Sequence, residues 1–125
     1  MTHVLVVDDA ADLRLLVRTV LRRAGIEVTE ATNGEEALEL LDRGPLPDAV
    51  VLDIQMPKLD GWDTLAAIRA DPRTVTLPVI VCTVRAQAAD VARAWTLGAD
   101  AVVTKPFAVE DLSAAVLGLM EATRR

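Results

Sequence analysis

Apolar residues along this chain come in short blocks that recur at a steady interval. HVLVVD (3–8), DAVVLD (48–53), LPVIVCT (77–83) and DAVVT (100–104) are continuous and rich in β-branched side chains. A strand is apolar at successive positions when both of its faces are covered, so these blocks predict buried parallel strands. IEVTEA (26–31) alternates instead, which predicts an edge strand. The segments between them carry the helical period. Leu13, Leu16, Val17, Val20, Leu21 and Ala24 fall on one face of a first helix, with Arg14, Arg18 and Arg22 opposite, and Gly25 suits the position just past its end. Asn33 is placed to cap a second helix that opens with Glu35 and Glu36, acids favoured there by the macrodipole. Further helices fit 61–70, 86–97 and 109–121. This alternation predicts an α/β fold, a doubly wound five-stranded parallel sheet with helices on both faces. Right-handed crossovers and an edge-like second strand favour the order 2-1-3-4-5, the flavodoxin-like (βα)5 arrangement.

Composition leaves this picture intact and removes alternatives. With 125 residues the chain reads as a single domain over 1–125, its last residues, 122–125, a tail or the start of a linker. The hydrophobic fraction of 52% and charged fraction of 26% suit a soluble globular core. A net charge of −6 without a basic stretch disfavours direct nucleic-acid binding. Apolar runs of strand length predict no membrane span, and the N-terminus has no secretory pattern. The single cysteine, Cys82, allows no intrachain disulfide and fits a reducing cytoplasm. His3 is the only histidine, so a Cys/His metal cluster is not expected.

Against this frame the two acids that end the first strand, Asp8 and Asp9, need a reason. Like charges about 4 Å apart repel by roughly 4 kcal/mol at an effective dielectric near 20. Either the pair is solvated, for instance capping a helix that begins near Asp12, or a cation holds it. Open α/β sheets bind ligands beyond the carboxyl ends of their strands, where the strand order reverses. The first strand ends there in Asp8 and Asp9, the third in Asp53, the fourth in Thr83, and the fifth runs into Lys105 and Pro106. Clustered carboxylates point to Mg²⁺, a hard cation that takes oxygen ligands. Asp53 is then a candidate nucleophile toward phosphorus, with Mg²⁺, the Lys105 ammonium and the Thr83 hydroxyl each meeting a phosphoryl oxygen.

The stretches VLVVDD, VVLDIQMPKLDG, VIVCT and VVTKPF, in this order and spacing, resemble the receiver domain of two-component response regulators over residues 3 to 121. The resemblance implies that Asp53 is the phosphoacceptor. It also implies that Asp8, Asp9 and Asp53 bind Mg²⁺ together with the Gln55 backbone carbonyl. Thr83 becomes the switch hydroxyl, Lys105 the phosphate-binding lysine, and Pro106 a cis-proline that places it. Four positions set this chain apart within the pattern. Val102 stands where receivers carry Tyr or Phe, Val84 where a small residue is usual, and Gln55 with Arg85 fills the two positions that tune phosphate lifetime.

The implied partners are a histidine kinase or histidine phosphotransfer protein upstream and an effector protein or domain downstream. A homodimer through the face of helix 4, strand 5 and helix 5 is a further expectation, and the chain reads as a stand-alone or excised receiver. As a phosphoacceptor it would promote only its own phosphorylation and dephosphorylation. On helix 4, Ala88, Val91, Ala92 and Trp95 form a stripe at core spacing. Neighbouring alanines suit the sheet equally well, and Val91 and Trp95 then face outward beside Val102 and Thr104 as an interface. Three rivals use the same fold or site. A pseudo-receiver would act without phosphorylation. An FMN carrier would want hydroxyls and amides where DDAADLR stands, and an aspartyl phosphatase would want its nucleophile on the first strand and a cap segment.

Overall fold

A computed structural model describes residues 2–54, 61–83, 88–104 and 114–118 of the chain, with the backbone alone at 83, 88 and 104. The strands are β1 (His3–Val7), β2 (Glu27–Ala31), β3 (Ala49–Asp53), β4 (Val79–Thr83) and β5 (Ala101–Thr104). They form one five-stranded sheet in the order β2-β1-β3-β4-β5. Every neighbouring pair is parallel. The helices are α1 (Ala11–Arg23), α2 (Gly34–Arg43), α3 (Gly61–Ala70) and α4 (Ala88–Thr96), and residues 114–118 (α5) are helical too.

The strand blocks are continuous because each face of the sheet has its own core. Leu5, Val7, Val50, Leu52, Val79 and Val81 pack with Ala37, Leu41, Leu65, Ile68 and Ala94 of α2, α3 and α4. Val4, Val6, Val51, Ile80 and Cys82 pack with Val17 and Leu21 of α1 and Val116 of α5. A fully buried Val, Leu or Ile contributes about 1.5–3 kcal/mol, whereas an exposed ion pair contributes about 0–1 kcal/mol. The two apolar faces, rather than surface pairs such as Arg43–Glu39, hold the layers together.

Helix ends follow local chemistry. The Asn33 side chain accepts the Glu36 N–H at 2.9 Å, capping α2, and the Glu36 carboxylate accepts the N–H of Thr32, the residue before the cap, at 3.1 Å. α1 closes with Gly25 at φ +83°, Gly25 N–H donating to Arg22 O and Ile26 N–H to Leu21 O, a pairing that requires the left-handed backbone glycine adopts freely.

The expected apolar face of α1 is corrected. Val17 and Leu21 are buried, but Leu16 is 46% exposed and Ala24 is exposed as well. Arg14 and Arg18, expected opposite the core, are half-buried and reach Glu30 of β2 at 3.2 and 2.7 Å. Pairing with the edge strand turns the helix so that Leu15 and Leu16 meet solvent.

One side chain ties three segments together. Arg69, near the end of α3, donates to the carbonyls of Val75 and Leu77 before β4 and to the carbonyl of Gly98 after α4. It also meets the Asp100 carboxylate at 2.8 Å, and the same Asp100 oxygen accepts the Val79 N–H. The entrances of β4 and β5 and the end of α4 are thereby fixed to one guanidinium.

Candidate functional site

Strand register assembles the site. Val7 pairs with Leu52, so Asp8 and Asp53 follow side by side at the carboxyl ends of β1 and β3. Asp53 in turn pairs with Cys82, and Thr83 pairs with Thr104, so the ends of β4 and β5 lie on the same rim. The rim falls where chain order reverses about β1 and β3, the position expected from the sequence.

Asp8, Asp9 and Asp53 each offer a carboxylate oxygen, and these oxygens lie within 4.8 Å of one another. Asp8 and Asp53 are each only 5% exposed, while Asp9 faces solvent. Two like charges at that separation repel by roughly 3 kcal/mol at an effective dielectric near 20. Burial of two of the three argues against a merely solvated cluster. Helix capping does not explain the pair either. The N-cap of α1 is Ala10, and no side chain caps it. Instead Asp8 Oδ1 accepts the Ala10 N–H at 2.9 Å, which folds the turn back over the strand end. The donors are carboxylate oxygens without nitrogen or sulfur, a hard set that fits Mg²⁺.

Two residues shape this rim without carrying its chemistry, and the sequence pattern did not single them out. Arg14 Nη1 donates to the Asp8 carbonyl at 2.6 Å while its Nε reaches Glu30, so the helix that follows Asp8 grips the backbone of the acid. Gly61 begins α3, and its N–H donates to Ile54 O at 3.0 Å. A Cβ at Gly61 would overlap Ile54 Cα and Asp53 O, closer than real atoms approach. Position 61 thus demands glycine because α3 is pressed onto the backbone of Asp53 and Ile54. Gly61→Ala is expected to cost on the order of 2 kcal/mol by overpacking. Equal melting temperatures for Gly61→Ala and the parent would refute this.

The remaining expected site residues divide by location. Gln55, Val84, Arg85, Lys105 and Pro106 lie outside the described residues, and for Thr83 and Thr104 only the backbone is described. Val102 is half-buried against the core on the α2, α3 and α4 side. On α4, among the described side chains, Ala94 is buried at 1% exposure and Trp95 is 51% exposed, so of the two placements expected for Trp95 the core one is overturned and the outward one holds. Trp62 packs at the edge of the same core, with the Arg93 guanidinium 4.6 Å above its ring centroid.

Comparison with known proteins agrees with this geometry. The model of the response regulator receiver domain matches residues 4–117. A probable transcriptional regulator of Guillardia theta, ycf27, is 40% identical over 122 residues, which are 98% of this chain and 46% of the relative. The chain thus spans about half the length of that relative. A response regulator receiver domain from Francisella superposes with a TM-score of 0.91 at 31% identity, covering 98% of this chain and 99% of the other. The receiver domain of a sensor histidine kinase from Pseudomonas aeruginosa, with a magnesium ion coordinated in its active-site cleft, superposes with a TM-score of 0.87 at 26% identity, covering 96% of this chain and 98% of the other.

Proposed function

This chain belongs to the receiver domains of the two-component response regulators, and from that premise we propose that a phosphoryl group carried on Asp53 switches it between two states. What supports the reading is a carboxylate buried at the end of a central strand, beside Asp8 and within reach of Asp9. Residues 1–125 act as one domain, and the donor is a histidine kinase or histidine phosphotransfer protein. One Asp53 oxygen attacks phosphorus, the P–N bond to the donor's imidazole breaks, and the imidazole leaves with the electron pair.

Asp8, Asp9 and Asp53, with the Gln55 carbonyl, would hold Mg²⁺; the similar Pseudomonas receiver has a magnesium ion coordinated in its active-site cleft. When bound, the ion supplies countercharge to the phosphoryl oxygens. Lys105, directed by Pro106, and the Thr83 hydroxyl meet the other oxygens. Gln55, Val84 and Arg85 govern how readily water reaches the acyl phosphate. The chain promotes only its own phosphorylation and dephosphorylation. We place the domain in the cytoplasm, whose reducing milieu suits a chain with a single cysteine, Cys82; no helix among the described residues is long and apolar enough to cross a membrane.

The acyl phosphate then shifts an equilibrium between two arrangements of the face formed by α4, β5 and α5. A downstream effector, or a second copy of the chain, binds the favoured arrangement, with Val91, Trp95 and Thr104 as contact candidates. Trp95→Ala is expected to change stability by less than about 1 kcal/mol, against about 3–5 kcal/mol for a buried tryptophan. It should weaken self-association or effector binding of the phosphorylated chain, measured by sedimentation. Unchanged association would remove Trp95 from the interface.

The reading itself is tested by intact mass. Acetyl phosphate or phosphoramidate with Mg²⁺ should add a single phosphoryl group. No added mass with either donor would leave an interaction module that phosphorylation does not control.

A further inference from the structure

We propose that Trp62 and Arg93 couple the acceptor strand to α4, so that movement at Asp53 reaches the output face through the start of α3. The inference rests on the reading of Asp53 as phosphoacceptor and names how its signal leaves the site.

The route begins at backbone contact. Gly61 is packed so tightly on Asp53 and Ile54 that no Cβ fits between them, and its N–H is bonded to Ile54 O. A shift of the acceptor backbone therefore displaces the first turn of α3. The next residue is Trp62, whose ring packs on the core edge. Arg93 of α4 lies over that ring at 4.6 Å, the range in which a guanidinium is drawn to an aromatic face. Trp62 is one of only three aromatic residues in the chain, which has two Trp, one Phe and no Tyr. Position 102 on β5 is valine, so no ring there can follow the site.

The far end of α4 supplies a pivot. Gly98, at φ +97°, ends the helix with Ala99 N–H donating to Ala94 O. Arg69 holds the Gly98 carbonyl through two N–H groups at 2.9 and 2.7 Å. Arg69 ties that end to the last turn of α3, so α4 responds by tilting about Gly98, and Arg93 is its contact with the first turn of α3. Trp62 and Arg93 are positioning residues here; neither touches the phosphoryl group.

The chain carries its own reporter, because the other tryptophan, Trp95, stands exposed on α4. Fluorotryptophan labelling gives fluorine resonances for Trp62 and Trp95, assigned by loss of one line in Trp95→Phe. Both lines should shift when acetyl phosphate and Mg²⁺ phosphorylate the chain, with phosphorylation followed in parallel by intact mass. In Arg93→Gln, and separately in Trp62→Leu, the mass should rise as in the parent while the Trp95 shift falls to less than half. Arg93→Lys, which keeps the cation, should restore part of it. Arg93 is exposed, so Arg93→Gln tests the coupling even if Trp62→Leu folds poorly. A Trp95 shift that survives intact in phosphorylated Arg93→Gln overturns the coupling, as does a phosphorylated parent whose Trp95 line does not move. An unphosphorylated parent overturns the reading of Asp53 instead, so the two failures are told apart.

Discussion

Asp53→Asn is expected to abolish phosphorylation by small donors while leaving the domain folded. Asparagine keeps the shape of the buried side chain, but its amide cannot form an acyl phosphate. The substitution also removes one of three charges whose oxygens lie within 4.8 Å. Repulsion between a pair at that distance is roughly 3 kcal/mol at an effective dielectric near 20. In EDTA the variant should therefore melt no lower than the parent, which separates loss of the acceptor from loss of the fold. Intact mass after acetyl phosphate and Mg²⁺ reads the first quantity and circular dichroism the second. A variant that still gains the phosphoryl mass would place the acceptor elsewhere on the rim, with Asp8 and Asp9 next to be mapped.

The fold was legible because its strands are covered on both faces, which forces the continuous apolar blocks. The acids were legible for the converse reason. Nothing in a buried strand end requires consecutive carboxylates unless a ligand does, and the register of β1 against β3 brings Asp8 beside Asp53. Periodicity failed where tertiary pairing overrode it. On α1 it assigned Leu16 and Ala24 to the core, but Arg14 and Arg18 turn toward Glu30 and leave Leu16 exposed. On α4 the stripe ending in Trp95 had helical spacing, yet Ala94 takes the sheet contact. Small and large apolar residues score alike in a period, and only the closeness of two elements chooses between them.

Backbone partners were invisible for a different reason. Arg69 bonds to the carbonyls of Val75, Leu77 and Gly98, and a carbonyl leaves no mark in the sequence. Gly61 could be read as a turn residue after Asp60, but its lack of a side chain is demanded by the approach of α3 to Asp53 and Ile54. Both features matter to function through position alone. They fix where α3 and α4 stand relative to the acids, which is the part of the site that residue types do not encode.

Magnesium is expected to raise the stability of the domain substantially, and Asp9 is the residue on which to show it. A ligand that binds only the folded state stabilises it by about 2.7 kcal/mol at a hundredfold excess over its dissociation constant. For a domain of this size that corresponds to a rise in melting temperature of roughly 10 °C. Asp8 is a poor probe because its carboxylate also holds the Ala10 N–H, so Asp8→Ala opens the turn before α1 as well as removing a ligand. Asp53 is buried and carries the acceptor chemistry. Asp9 is exposed, so Asp9→Ala disturbs packing little and relieves repulsion with the other two acids. The variant should match or exceed the parent in EDTA and lose most of the gain in Mg²⁺, so the two melting curves cross over as the metal is added. Parent melting curves that coincide with and without Mg²⁺ would remove the metal from the site. An Asp9→Ala variant that gains as much as the parent would remove Asp9 from the ligand set and leave the ion to Asp8 and Asp53.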